Sequence, residues 1–142
     1  MNNLNTLFDL IGGLARRRYQ TAERYFSTLG LNHTEARLLN LLDRENGAAT
    51  QDALSNMLFV DRSNAGRALK SLEHEGYIER NQSDTDKRTN LVQITARGRE
   101  AVAEIAKLKE KMVQNFFGEL TEAEAGQIID LLRKVYPNEQ DA

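Results

Sequence analysis

The chain has 142 residues, of which 40% are hydrophobic and 28% charged, and its 19 basic and 21 acidic groups give a formal net charge of -2. This composition predicts one soluble globular domain and no membrane span, because no apolar run approaches the roughly 20 residues that a spanning helix requires. The absence of cysteine excludes disulfides, thiolate metal sites, cysteine nucleophiles and thiol redox switches.

The charge is distributed unevenly. Residues 61–99 carry 8 basic and 6 acidic groups, whereas residues 100–142 carry 5 basic and 9 acidic groups. The only net positive stretch is therefore in the middle of the chain. The first residues lack the positive segment and cleavage site of a signal peptide, so a cytoplasmic location is expected.

The first third of the chain predicts two helices. Apolar side chains at spacings of three and four over residues 4–29 indicate one face of a long helix, which Gly30 ends. Asn32 and Glu35 have the spacing of a capping box, which predicts that a second helix begins there and stops near Gly47.

A helix-turn-helix pattern follows. Residues 51–57 predict one short helix, and Asp61 is a suitable N-cap for the next because its carboxylate can accept free backbone N–H groups. Gly76 stands where a left-handed glycine would end that second helix. Two short helices joined by three or four residues are typical of this motif.

The rest of the chain predicts a wing and two more helices. Residues 77–79 and 91–94 read as short strands on either side of a polar loop, and Thr95 begins a long helix. Residues 121–124 form a capping box for a last helix whose apolar face extends to Val135. The predicted fold class is mainly α with a small β-wing, that is, a winged helix-turn-helix lobe plus a helical bundle.

Enzymatic and metal chemistry are disfavoured. His33 and His74 lie at separate predicted helix ends without a nucleophile motif, and no glycine-rich loop follows a strand to hold phosphate. The histidines and carboxylates also lack the spacing of metal ligands. We therefore predict no catalytic residue, no metal site and no cofactor.

The second helix of the motif carries the side chains expected to contact DNA. Its N-terminal turn would meet base edges in the major groove, which makes Arg67 the best candidate for a bidentate contact with guanine. The candidates for base reading are Arg62, Ser63, Asn64 and Arg67. The candidates for phosphate contacts are Lys70, Arg80, Arg97 and Arg99.

The predicted wing carries charges of both signs. Asp86 and Arg88 are two residues apart, so they can pair across the turn and stiffen the loop. Lys87 or Arg88 would then enter a minor groove, whose negative potential attracts cationic side chains. The wing residues predicted to act in DNA binding are Asp86, Lys87 and Arg88.

Over residues 51–98 the sequence resembles the MarR family of bacterial and archaeal transcription regulators. The resemblance rests on Leu-Glu-His-Glu-Gly-Tyr-Ile-Glu-Arg at 72–80, Asp-Thr-Asp-Lys-Arg at 84–88 and Ile-Thr-Ala-Arg-Gly at 94–98. The family pattern has Asp-x-Arg in the wing and Leu-Thr-x-x-Gly after it. This chain keeps Asp86 and Arg88 and has Ile94 in place of the leucine.

The resemblance implies a homodimer whose two lobes bind double-stranded DNA at a pseudo-palindromic operator, usually as a repressor. It divides a single domain, residues 1–142, into a winged lobe at about 32–99 and dimerisation helices at about 1–30 and 100–137. The long apolar faces of these helices independently favour a second chain, and the alternative is an intramolecular bundle.

The resemblance also implies a small aromatic or phenolic effector bound between the dimerisation helices and the lobe. Candidate contacts are cationic or aromatic side chains near that junction: Arg16, Arg17, Tyr19, His33 and Arg37. The same side chains can equally form structural ion pairs.

Two alternatives to DNA binding remain at this stage. A winged helix can serve as a protein-interaction module, or the chain can be a small-ligand-binding module without DNA binding. The first alternative predicts an acidic or apolar recognition helix, which Arg62, Arg67 and Lys70 contradict.

Overall fold

The computed structural model describes residues 2–82 and 90–137, and its architecture confirms the predicted fold class. The helices are α1 (Asn3–Phe26), α2 (His33–Arg44), α3 (Gln51–Leu58), α4 (Arg62–His74), α5 (Ala96–Phe117) and α6 (Glu122–Leu132). The strands are β1 (Ala48–Thr50), β2 (Ile78–Gln82) and β3 (Asn90–Ile94), and a 3-10 turn (Ser27–Leu29) follows α1. Together the strands form one antiparallel sheet in the order β1-β3-β2.

Local capping sets most helix boundaries, as predicted. Asn32 accepts a hydrogen bond from the backbone N–H of Glu35 at 2.8 Å, and the Glu35 carboxylate accepts one from the backbone N–H of Asn32 at 2.8 Å. Thr121 and Glu124 form the same reciprocal pair at the start of α6. Gly30 has a φ of 74° and ends the first helical segment in the left-handed conformation.

The structure corrects the sequence prediction in three places. Strand β1 was not predicted; it pairs with β3, with Ala49 opposite Val92. The wing strands are Ile78–Gln82 and Asn90–Ile94 rather than residues 77–79 and 91–94. Helix α6 ends at Leu132, so the prediction that Val135 lies on its apolar face is wrong; the backbone N–H of Val135 instead bonds to the Leu132 carbonyl at 2.9 Å in a turn.

The core of the lobe lies where α2, α3 and α4 meet the sheet and the first half of α5. Its large, fully buried side chains are Leu38, Leu39, Leu42, Leu54, Leu69, Leu72, Ile78, Val92 and Ile105. Burying an aliphatic side chain of this size contributes about 1.5–3 kcal/mol. The core therefore fixes α4 against the rest of the lobe.

The two ends of the chain are covered far less. Ala22 and Phe26 of α1 pack into the core, but Leu4 and Phe8 near its N-terminus are 76% and 79% exposed. All of α6 is described, and none of its residues is buried. Across the described ranges, 2–82 and 90–137, no helix combines the length and apolarity needed to cross a bilayer.

A tight corner joins the sheet to α5. The Thr95 hydroxyl donates to the carbonyl of Gly76 at 2.7 Å and accepts from the backbone N–H of Gly98 at 3.1 Å. The backbone N–H of Thr95 also donates to the carbonyl of Tyr77 at 3.0 Å. This corner thus connects the end of α4, strand β3 and the start of α5.

Gly98→Ala should destabilise the fold. An added Cβ would lie 2.3 Å from the Tyr77 carbonyl oxygen and 2.6 Å from a side-chain carbon of Ile94, so the corner would have to open. Overpacking of this kind lowers the free energy of unfolding by about 1–3 kcal/mol, which urea titration followed by circular dichroism would measure.

Gly66→Ala is the matched control. Among the described residues, a Cβ at this helical position would meet the Gln51 amide nitrogen, at an ordinary 3.5 Å. Replacing a glycine inside a helix with alanine should leave stability unchanged or raise it by about 0.5–1 kcal/mol. Equal stabilities for Gly98→Ala, Gly66→Ala and the parent chain would contradict the steric argument.

Candidate nucleic-acid interface

Helices α3 and α4 form a helix-turn-helix through residues 59–61. The backbone N–H of Phe59 donates to the Asn56 carbonyl at 3.3 Å and that of Val60 to the Ser55 carbonyl at 3.3 Å, which closes the end of α3. Phe59 takes a left-handed φ of 56°, a conformation that is unusual for a bulky residue. Asp61 then caps α4 by accepting from the backbone N–H of Asn64 at 2.7 Å.

Helix α4 has one buried side and one solvent side. Ala65, Ala68, Leu69 and Leu72 form the buried side. The opposite side carries all the residues that the sequence predicted for this helix, and every one is exposed: Arg62, Ser63, Asn64, Arg67 and Lys70. The structure therefore brings these five side chains together on one face.

Several of these side chains already have partners within the chain. Arg62 forms an ion pair with Asp52 of α3 at 3.0 Å, with both side chains largely exposed. Arg67 donates a hydrogen bond from Nη2 to Oδ1 of Asn64. An exposed ion pair contributes little stability, so Arg62 can exchange Asp52 for another anion at small cost.

The arginines predicted to contact phosphate outside α4 also have internal partners. Arg80 donates twice to one carboxylate oxygen of Glu73, at 3.2 and 3.0 Å. Arg99 approaches Asp43 at 3.7 Å. The Arg97 guanidinium lies 4.7 Å from the centre of the Tyr77 ring in a cation–π contact. Lys70, Arg97 and Arg99 are exposed, whereas Arg80 is half-buried.

The predicted wing contacts Asp86, Lys87 and Arg88 lie outside the described residues. The strands that frame them are described, and their antiparallel register runs from Ile78 opposite Ile94 to Gln82 opposite Asn90. These strands are five residues long each.

A cavity of about 140 Å³ opens between α1, α2 and α5. Its walls combine apolar with cationic and polar side chains: Arg18, Thr21, Ala22, Phe26, His33, Ala36, Arg37, Asn40, Lys109, Met112, Val113, Phe116 and Phe117. An apolar cavity of about 150 Å³ in another protein holds one benzene molecule, so this space suits a single aromatic ring.

The predicted effector contacts divide at this cavity. His33 and Arg37 line it, whereas Arg16, Arg17 and Tyr19 do not. Tyr19 and Arg17 each contact a residue that lines the cavity. The Tyr19 ring is 5.2 Å from the His33 ring, and the Arg17 guanidinium is 5.0 Å from the centre of the Phe116 ring.

Sequence reasoning missed two cations of the cavity, Arg18 and Lys109. Arg18 adjoins the predicted Arg17 on α1, and the helical register alone decides which of them faces the cavity. Lys109 is distant in sequence and reaches the cavity only because α5 packs on α1 and α2.

His33 is held in a mostly apolar setting. Its ring packs edge-on to Tyr19 and 6.3 Å from the ring of Phe26, and its backbone N–H donates to the Glu23 carboxylate at 2.7 Å. Burial, reinforced by the positive charges of Arg37 and Arg18, lowers the pKa of His33. The imidazole is therefore neutral at neutral pH.

Within residues 2–82 and 90–137, no three His, Asp or Glu side chains cluster as metal ligands.

Comparison with known proteins places this geometry in a family. The sequence model of the MarR family matches residues 29–89. The chain is 33% identical over 96 residues to a putative transcriptional regulatory protein for the hcr operon of Thauera aromatica. This match covers 68% of this chain and 58% of that relative. It is 32% identical over 107 residues to the transcriptional repressor MprA of Escherichia coli K12. This match covers 75% of this chain and 61% of MprA.

The chain thus spans about three fifths of the length of these two curated relatives. Among solved structures, it is similar to a cysteine-to-serine mutant of MarR from Escherichia coli in complex with operator DNA. The TM-score is 0.79 at 27% identity, and the match covers 94% of this chain and 96% of that one.

Proposed function

Because the chain belongs to the MarR family of transcriptional regulators, we propose that it binds double-stranded DNA sequence-specifically through α4 and the wing. The observation that carries this proposal is the solvent side of α4, where Arg62, Arg67 and Lys70 lie on one exposed face behind the Asp61 cap. A regulator of this family is not an enzyme, in agreement with the prediction from the sequence.

The proposed recognition follows from helix geometry. The N-terminal turn of α4 enters the major groove, where the Arg67 guanidinium donates to O6 and N7 of a guanine. Arg62 leaves Asp52 for a DNA oxygen, and Lys70, one turn beyond Arg67, binds phosphate. The wing residues Lys87 and Arg88 add minor-groove contacts, with Asp86 orienting Arg88.

We also propose that the chain acts as a homodimer, with winged lobes at about 32–99 and dimerisation helices at about 1–30 and 100–137. The support is the apolar surface that the isolated chain leaves uncovered: in α6 alone, Ile128, Ile129, Leu131 and Leu132 are 38–61% exposed. Several large apolar side chains exposed on one short helix are typical of a protein–protein interaction surface. The two lobes of the dimer would then occupy successive major grooves of a pseudo-palindromic operator. We propose that this binding takes place in the cytoplasm and represses transcription.

The cavity supports an effector in the same proposal. Phe26, Phe116 and Phe117 can enclose an aromatic ring, and Arg18, Arg37 and Lys109 surround it with positive charge. In its neutral form, the His33 imidazole can donate one hydrogen bond to the ligand or accept one from it. This chemistry suits a small aromatic carboxylate or phenolate whose binding moves α1, α2 and α5 apart and releases DNA.

Arg67→Ala should weaken binding to a specific duplex by about 1–3 kcal/mol and reduce the preference at one base pair, because a bidentate base contact is lost. Lys70→Ala should weaken specific and random duplexes alike and lower the salt slope by about one unit. Fluorescence anisotropy at two salt concentrations, with a duplex selected by the protein from a randomised library, measures both. An equal loss on specific and random DNA for Arg67→Ala would exclude base readout by Arg67.

The protein should sediment and scatter light as a dimer of about twice its 16.1 kDa chain mass. Phe8→Glu places a charge on the exposed apolar part of α1 and should shift the equilibrium to the monomer. Met57→Glu, at an exposed apolar site on the lobe, is the control and should keep the dimer mass. Full DNA affinity in a 16.1 kDa species would contradict the proposal.

Benzoate is the probe for the cavity. It should lower DNA affinity, and benzamide, which has the same ring without the charge, should not. Lys109→Ala should raise the benzoate concentration needed to lower DNA affinity by roughly fivefold, because about 1 kcal/mol from one exposed charge contact is lost. The control, Lys107→Ala, removes a nearby α5 lysine that pairs with Glu104 outside the cavity and should respond as the parent chain does. Equal responses to benzoate and benzamide would argue against an anion site.

A further inference from the structure

Three side chains at the start of α4 form a continuous hydrogen-bond relay. Asp61 accepts from the backbone N–H of Asn64 at 2.7 Å through Oδ1 and from the Asn64 side-chain amide at 2.9 Å through Oδ2. Asn64 Oδ1 in turn accepts from Nη2 of Arg67. The amide of Asn64 therefore links a carboxylate to a guanidinium.

The chemistry of the two ends determines how the amide is turned. An ionised carboxylate only accepts hydrogen bonds, so it selects the NH₂ side of Asn64 and leaves Oδ1 pointing toward Arg67. Turning the amide over would place two acceptor oxygens against each other at Asp61 and two donors against each other at Arg67. Asp61 thus fixes the amide of Asn64, and the amide fixes one edge of the Arg67 guanidinium.

This arrangement changes the role that the sequence suggested for Asn64. Reading adenine requires an asparagine to present its N–H and its oxygen together to one base. Both groups of Asn64 are already bonded within α4 and its cap. Arg67 uses one of its five N–H groups in the relay and keeps four for a base.

We propose that Asn64 is a positioning residue, clamped by Asp61, that orients the Arg67 guanidinium for base readout before DNA arrives. The inference rests on the proposed DNA-binding function and assigns specificity within it. An arginine side chain has several rotatable bonds, so ordering it in the free protein reduces the entropy lost on binding.

The relay is separable from the helix cap. Asn64→Ala removes the amide but keeps the backbone N–H that donates to Asp61, so α4 should still begin at the same place. Asp61→Ser keeps a cap acceptor but removes the second oxygen that holds the amide. Neither variant needs to disturb the fold, which circular dichroism and thermal unfolding would verify.

The first test is made without DNA. In the wild-type protein, the Arg67 side-chain Nε–H should give a high order parameter by ¹⁵N relaxation, and Asn64→Ala and Asp61→Ser should lower it. Ser71→Ala, an exposed change at the other end of α4, is the control and should leave it unaltered. An Arg67 side chain equally mobile in the wild type and in Asn64→Ala would overturn the relay.

The second test uses a duplex that the wild-type protein selects from a randomised library, together with its set of single base-pair substitutions. Asn64→Ala should lower discrimination about 3- to 10-fold at the same base pair as Arg67→Ala. In the Arg67→Ala background, Asn64→Ala should change affinity less than twofold, because a residue that acts through Arg67 has no further effect once Arg67 is gone.

The outcomes separate the inference from the function on which it rests. Loss of preference at a different base pair, or losses that multiply in the double variant, would make Asn64 a base reader and overturn the positioning role. A wild-type protein that selects no sequence would overturn the proposed function, and base readout by Arg67 with it. The relaxation experiment would still decide whether Asn64 orders Arg67.

Discussion

The corner at Thr95 is the constraint on which the rest of the structure depends. One hydroxyl binds the end of α4 through the Gly76 carbonyl and the start of α5 through the Gly98 N–H. Gly98 allows this because its missing Cβ leaves space for the Tyr77 carbonyl. Helix α4, the sheet and α5 are therefore held in their relative orientation at one point.

The sequence predicted those features that depend on neighbours along the chain. Asn32 with Glu35, Thr121 with Glu124, and the glycines at 30 and 76 act within a few residues of their partners, so spacing alone located them. The alternation of buried and exposed residues on α4 follows from helical periodicity in the same way. This is why the residues predicted on the solvent side of α4 are all exposed in the structure.

Features that depend on distant partners were not predictable from local patterns. Strand β1 is only Ala48–Thr50, too short and too small in side chains to show alternation, and it exists because β3 pairs with it. The same reason explains why Lys109 was missed in the cavity, since only the packing of α5 on α1 and α2 brings it there. The hydrogen bonds of Asn64 to Asp61 and Arg67 were likewise not predictable, because the residue type and position suit a base contact equally well.

Helix α5 connects the proposed activities physically. It begins at the Thr95 corner, contributes Ile105 to the core, and supplies Lys109 and Phe116 to the cavity. A helix of 22 residues is about 33 Å long at 1.5 Å per residue, and its backbone hydrogen bonds make it stiff.

A ring entering the cavity would push on the far half of α5, while the corner resists sliding at the near end. Because the corner holds α4 and α5 in one relative orientation, we expect a displacement of α5 at the cavity to turn α4 with it. In the proposed dimer, such a displacement would alter the spacing of the two copies of α4 without unfolding either lobe.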